Sequence, residues 1–208
     1  MPTAPATINK KLNLVVPLYF DVEDPDEKPY AYVHSRPIDA EVFDKYFRVL
    51  RATWSQINTD GDLRYGGAQM AFRYLRVIAE AMPSKTPGVN FWEAPDGVEA
   101  GLVKEMLQRT NVLCIGANGW ETVTFKTALD QSRITAEEAG EVQAALTFFT
   151  LASVMNRRSV AQMILTMCLR PWGASVTSLN ATEYRNTLPT STADENTGEK
   201  KPALSVAY

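Results

Sequence analysis

The spacing of apolar residues predicts that most of the chain is helical. Two long stretches place apolar residues three and four positions apart, which puts them on one face of an α-helix. The first follows Asp39, a residue type suited to the N-cap, and ends at residues 58–61. The second is stopped by Pro83. The positions that carry the two faces are Phe43, Tyr46, Phe47, Leu50, Trp54 and Ile57, then Ala68, Ala71, Phe72, Leu75, Ile78, Ala79 and Met82.

Two further helices begin at capping-box sequences, in which a small polar residue is followed three positions later by glutamate. Asp96 and Glu99 form one such pair, and Thr135 and Glu138 form the other. The helix after Thr135 is apolar on nearly every side over residues 142–155, so we expect it to be central or to lie in an interface. A short helix over 126–131 and a last one, from Ser159 to Pro171, complete the set.

Strand patterns occur at two places. Residues 12–20 are rich in β-branched and aromatic side chains, and residues 30–34 repeat the pattern after a proline-bearing acidic turn. Together they predict an N-terminal β-hairpin, one face of which something must cover, because an isolated hairpin is marginal in water. Residues 111–115 and 120–125 flank Gly116-Ala117-Asn118-Gly119 and form a candidate for a second small hairpin.

These elements indicate a mainly α protein of the α+β type, with amphipathic helices packed on the N-terminal hairpin. We expect a flexible arm over residues 1–10, a single helical domain over 11–187 and a flexible, disordered polar tail over 188–208, where almost nothing apolar is available to bury. Hydrophobic residues make up 45% of the 208 positions and charged residues 22%, as in ordinary globular proteins.

The sequence contains no recognisable catalytic or metal-binding motif. His34 is the single histidine, so most acid–base schemes that use imidazole have no second partner. Cys114 and Cys168 lie in apolar surroundings and are expected to behave as small buried residues. Residues 58–63 resemble the centre of a calcium loop, but Gln56 and Gly67 then stand where ligands are needed. We therefore predict no enzyme activity, no cofactor and no metal.

The net charge and the longest apolar stretch indicate whether the chain binds nucleic acid or spans a membrane. A formal net charge of −3 gives no electrostatic footprint for nucleic acid. The apolar run over 142–169 is interrupted by Asn156-Arg157-Arg158-Ser159, so it does not predict a membrane span. Since Met1 to Lys11 is polar rather than a signal sequence, a cytoplasmic protein is expected.

Four segments resemble those of tail assembly chaperones of long-tailed, non-contractile (siphovirus-type) bacteriophages. They are Asn13-Leu14-Val15-Val16-Pro17, Tyr32-Val33-His34-Ser35, Gly119-Trp120-Glu121-Thr122-Val123 and Leu188-Pro189-Thr190-Ser191-Thr192. The order of elements, from a short hairpin through amphipathic helices to a polar tail, is also similar, so the resemblance extends over most of the chain.

The resemblance implies a function in virion assembly. Such chaperones act in the host cell cytoplasm, bind the tape measure protein, help tail tube protein polymerise around it and are absent from the mature virion. Many are also made in a longer form by a −1 ribosomal frameshift. Glu199-Lys200-Lys201 can be encoded by a heptamer on which a ribosome slips by one nucleotide, and it lies seven residues from the last residue of the sequence.

A chaperone for a long helical partner needs apolar surface in several copies, so a homo-oligomer is expected. We predict that the partner contacts the N-terminal hairpin, the first long helix and the tail, and that the 12–20 strand is an edge that pairs between subunits. Arg73 and Arg76, with Arg64, are suited to phosphate or to carboxylates of a partner, although a solvated helix face is the simpler interpretation. The predicted partner-binding residues are Val15, Leu18, Phe20, Tyr32, Phe43, Phe47, Trp54, Arg73 and Arg76.

Two alternatives stay open. A virion structural protein, such as a head–tail connector or a minor tail component, would share the fold class but would be found in purified virions. A helical regulator that binds nucleic acid would need a clustered basic helix, which the sequence lacks, and its binding would depend on salt concentration.

Overall fold

The computed structural model describes residues 12–19, 28–60 and 66–189. This part of the chain contains seven α-helices and five strands, and the fold is α+β. The helices are α1 (Ala40–Thr59), α2 (Gly67–Ala81), α3 (Lys104–Gln108), α4 (Phe125–Asp130), α5 (Ala136–Met155), α6 (Arg158–Cys168) and α7 (Ala181–Arg185). The strands are β1 (Asn13–Leu18), β2 (Ala31–Ser35), β3 (Thr110–Gly116), β4 (Gly119–Thr124) and β5 (Ser175–Thr177).

The strands form one antiparallel sheet in the order β4-β3-β2-β1-β5. Both predicted hairpins are confirmed: β1 pairs with β2, and β3 pairs with β4. They are joined through β2 and β3, where Val33 lies opposite Val112. The prediction that β1 is an edge strand is wrong for its first half. β5, which the sequence pattern did not predict, pairs with Asn13, Leu14 and Val15 on the other side of β1.

Helix α5 lies at the centre of the core, as its all-round apolar pattern predicted. Phe148, Phe149 and Leu151 are fully buried although they point in different directions around the helix. α5 contacts α1, α2, α6 and β1, so neighbouring elements cover it on several sides. A helix of this composition is stable in water only when such neighbours surround it.

The capping box that opens α5 is also confirmed. The Thr135 hydroxyl accepts a hydrogen bond from the Glu138 amide at 3.2 Å, and the Glu138 carboxylate accepts one from the Thr135 amide at 2.6 Å. The Tyr30 hydroxyl donates to the same carboxylate at 2.5 Å, which ties the start of β2 to the start of α5. Burial, and then the Glu138 carboxylate, raise the pKa of Tyr30.

Of the two other predicted caps, one is confirmed in its position only and the other is wrong. Asp39 has the N-cap position of α1, but its carboxylate forms an ion pair with Arg109 at 2.6 Å and makes no side-chain cap bond. The predicted Asp96–Glu99 capping box is wrong. A π-helical turn, Val98–Val103, begins after Gly97 instead and leads into α3. The Tyr46 hydroxyl donates to the carbonyls of Asp96 at 3.2 Å and Gly97 at 3.1 Å, so a contact from α1 holds this entrance.

Several predicted features lie outside the described residues. These are the N-terminal arm, the acidic turn between the first two strands with Phe20, and residues 190–208 of the predicted tail, including Glu199-Lys200-Lys201. Leu188 and Pro189, at the start of that predicted tail, are described. Within the described ranges, no helix is both long enough and apolar enough to cross a membrane.

Candidate partner-binding surfaces

The predicted partner-binding residues of the hairpin lie in or near the interior. Val15 and Leu18 are buried within β1. Tyr32 on β2 is half-buried, and its ring centroid lies 5.6 Å from that of Trp120 and 5.8 Å from that of Tyr184. A partner would therefore reach Val15 and Leu18 only if neighbouring parts of the protein moved away.

The predicted aromatic residues of α1 differ in exposure. Phe43 is half-buried and packs edge-on against Phe47, with ring centroids 5.5 Å apart. Trp54 packs against the buried Phe148, with centroids 6.1 Å apart. Phe47 is 40% exposed. Of these three aromatic residues, Phe47 therefore presents the most open surface to a partner.

The two predicted arginines of α2 are both exposed. Arg76 is ion-paired with Glu80 at 2.8 Å, and its guanidinium lies over the ring of Trp92, 5.6 Å from the centroid. The neighbouring carboxylate raises the pKa of Arg76. The guanidinium of Arg76 is thus already in contact with Glu80 and Trp92. Arg73, on the same helix, has no such contact among the described residues.

The face of the sheet opposite α5 is covered by the C-terminal part of the described chain. The carbonyl of Leu179 accepts hydrogen bonds from the side-chain amide of Asn13 (Nδ2) at 2.8 Å and from His34 Nε2 at 3.0 Å. Trp120 Nε1 donates to the carbonyl of Pro189 at 2.9 Å. These contacts join β1, β2 and β4 to residues near the end of the described chain.

His34 is fully buried on this face, and the structure defines its tautomer. A carbonyl can only accept, so Nε2 carries the proton that is donated to Leu179, and Nδ1 is the unprotonated nitrogen. Nδ1 has no hydrogen-bond partner within the described part of the chain. Burial lowers the pKa of His34, which outweighs the opposite effect of the bond to Leu179.

The stability of the protein should therefore fall as the pH falls below 6.5. Below this pH the histidine of the unfolded chain binds a proton, whereas His34 in the folded chain stays neutral. The free energy of unfolding therefore decreases by up to about 1.4 kcal/mol per pH unit until the pH reaches the lowered pKa of the folded state. Urea unfolding at pH values from 7.5 to 5.5 measures it. His34→Gln keeps an amide donor for Leu179 without the titration, and its profile should be flat across this range because the chain has one histidine. Equal slopes for both proteins would contradict this assignment.

Helix α6 carries apolar residues on two sides. Ala161 and Leu165 are buried toward the protein, as expected for an amphipathic helix. On another side Val160, Met163 and Met167 are 39%, 63% and 47% exposed. We call these three residues the α6 stripe. The sequence predicted the helix that carries them but did not show that this side of it is exposed.

Arginines flank the α6 stripe at both ends. Arg157 is the N-cap residue of α6, three positions before Val160, and Arg170 begins the 3-10 turn that follows the helix, three positions after Met167. Both arginines are exposed, and neither forms an ion pair with another described residue. Residues 142–182 contain no aspartate or glutamate, so the surroundings of the stripe in sequence are positively charged.

Groups suited to metal or thiol chemistry are sparse among the described residues. No three histidine, cysteine, aspartate or glutamate side chains of this part come together as a metal site. Cys114 is buried and Cys168 is half-buried, and they form no disulfide with each other. Arg133 contacts both the Cys114 sulfur, at 3.1 Å, and the Glu121 carboxylate. This cluster links β3 and β4 to the loop before α5.

Comparison of the chain with protein-family models, with curated proteins and with solved structures finds no match.

Proposed function

We propose that this protein is a tail assembly chaperone of a long-tailed, non-contractile bacteriophage, which binds the tape measure protein and promotes polymerisation of tail tube protein. The observation that carries the proposal is the set of segments that resemble this family. Three of them form β1, β2 and β4, and the fourth begins at Leu188-Pro189, where the Pro189 carbonyl meets Trp120. Segments that are far apart in sequence thus belong to, or contact, one sheet.

The exposed α6 stripe supports a binding role. Methionine is unbranched and polarisable, so a methionine-bearing surface adapts to apolar partners of varied shape. An amphipathic helix is one kind of partner that such a surface accepts. A tape measure protein is long and helical, so it offers surfaces of this kind repeatedly along its length.

Peptide mass spectrometry of phage-infected cells and of purified virions tests the proposal. We expect the chain in the cell lysate, absence of the chain from virions, and an extended form whose peptides continue from Glu199-Lys200-Lys201 into the −1 reading frame. Finding the chain in stoichiometric amounts in purified virions would instead identify a structural component, such as a head–tail connector or a minor tail protein.

A further inference from the structure

The α6 stripe combines apolar surface and charge in a defined order. The order is Arg157 at the N-cap, then Val160, Met163 and Met167 on the helix, then Arg170 in the 3-10 turn after it, at steps of three or four residues. Residues at such steps lie close together on one side of a helix. The 11 residues of α6 span roughly 16 Å and the two arginines lie just beyond its ends, so they are roughly 20 Å apart.

The row beside the stripe is polar but uncharged. Ser159, Gln162 and Thr166 are exposed and, with Met163, Met167 and Arg170, line one shallow depression on the surface of α6. These side chains can form hydrogen bonds with a partner without adding a charge that would oppose the arginines. The depression is therefore apolar along one side, neutral along the other and positively charged at the end where Arg170 lies.

We propose that the α6 stripe binds an amphipathic helix of a partner protein whose own apolar stripe is flanked at both ends by acidic residues. Carboxylates about 20 Å apart on the partner would face Arg157 and Arg170 while its apolar residues cover Val160, Met163 and Met167. The inference rests on the proposed function only in taking the tape measure protein as the source of that helix. The binding surface and the partner's chemistry follow from α6 itself.

A second copy of this chain is a poorer occupant of the same surface. Antiparallel pairing of two α6 helices would place Arg157 of each copy beside Arg170 of the other. Parallel pairing would place each arginine beside its own counterpart. Both arrangements bring like charges together, which costs binding free energy at an interface. An acidic partner helix removes this repulsion and supplies the opposite charges.

Binding of designed peptides to the full-length protein tests the inference. The probe is a helical peptide of about 20 residues with a leucine stripe and two glutamates thirteen positions apart, roughly 20 Å along the helix. Its counterpart carries lysines in place of the glutamates. We expect the glutamate peptide to bind at least about tenfold more tightly at low salt. It should also shift the methyl NMR signals of Met163 and Met167.

Variants of the protein separate apolar contact from charge. Met163→Glu with Met167→Glu should weaken binding of the glutamate peptide at least about tenfold, whereas Val77→Glu on α2, also an exposed apolar residue at 54%, should leave it unchanged. Arg157→Glu with Arg170→Glu should reverse the preference, so that the lysine peptide binds better. Equal affinity for both peptides, or an equal loss with Val77→Glu, would overturn the inference.

Two other occupants give different results. If a second copy covers the stripe, sedimentation should show an oligomer that dissociates in the Met163→Glu, Met167→Glu variant. If an anionic membrane covers it, the wild-type protein should sediment with phosphatidylglycerol vesicles and the variant should not. Either result, without peptide binding, would overturn the inference.

Capture of the tape measure protein separates this inference from the proposed function. Co-expression with the tape measure protein encoded in the same genome should yield a soluble complex that the methionine variant loses. A complex that survives in the variant would overturn α6 as the binding surface and leave the chaperone function intact. Peptide binding at α6 without any capture of the tape measure protein would reject the proposed function and leave the α6 inference in place.

Discussion

Replacing Phe148 with alanine is expected to lower the free energy of unfolding by about 3–5 kcal/mol. Phe148 is fully buried on the central helix α5, and its ring packs against Trp54 of α1. Removal of the ring forfeits apolar burial and leaves a cavity between two long helices that can close only partly. Equilibrium unfolding in urea, followed by tryptophan fluorescence, measures the loss.

The matched control is Phe47→Ala, which makes the same change at a position that is 40% exposed. Phe47 packs edge-on against Phe43 on the surface of α1, so this substitution should cost less than about 1 kcal/mol. Similar losses for the two variants would mean that α5 is not the centre of the core. Phe47 is also a predicted partner-binding residue, and because Phe47→Ala is expected to cost little stability, the variant can be used in binding measurements as well.

The parts of the fold that the sequence predicted are those that depend on local pattern. The all-round apolar run of α5 implies a central position wherever the neighbouring elements come from. The Thr135–Glu138 capping box is complete within four residues, so the local sequence is enough to predict that it forms. Both hairpins join strands that are close in sequence.

The parts that the sequence did not predict depend on distant contacts. β5 has three residues, too few for a periodic pattern, and it exists as a strand because β1 offers it a hydrogen-bonding edge. Val15 lies opposite Ser175 of β5 and Leu18 packs in the hydrophobic core, and both are buried although their pattern suggested a surface for a partner. The Leu179 carbonyl bonds to Asn13 and His34, more than a hundred residues earlier in the chain.

The candidate binding surface was missed for a related reason. Helical spacing groups Val160, Met163 and Met167 with apolar residues that face inward, since all of them fit a repeat of 3.6 residues. Which side is covered depends on where α5 and β5 lie against α6. One sequence signal was available: arginines at both ends of the apolar positions and no acidic residue over 142–182.

Gly101 and Gly140 should respond to alanine with opposite signs. Gly101 lies in the π-helical turn, where an added Cβ would overlap the hydroxyl of Tyr46 and lie 2.8 Å from the adjoining ring carbon. Tyr46 is buried and bonded to the carbonyls of Asp96 and Gly97, so it has little freedom to move. Gly101→Ala should cost about 1–3 kcal/mol in urea unfolding.

At Gly140, on the exposed side of α5, an added Cβ meets no atom within 4 Å. Alanine has a higher helix propensity than glycine, so Gly140→Ala should stabilise the protein by up to about 1 kcal/mol. A stabilising effect of Gly101→Ala would contradict the packing described for this turn.

Combining Gly101→Ala with Tyr46→Phe shows whether the hydroxyl causes the loss. Tyr46→Phe alone should cost about 1 kcal/mol, because a buried hydrogen bond is lost. In the double variant the methyl group gains the space that the hydroxyl vacated, so the combined loss should be smaller than the sum of the two single losses. Recovery should be partial, since the ring carbon stays 2.8 Å from the added Cβ unless the ring shifts. Additive losses would instead locate the cost of Gly101→Ala in the backbone of the π-helical turn rather than in the contact with α1.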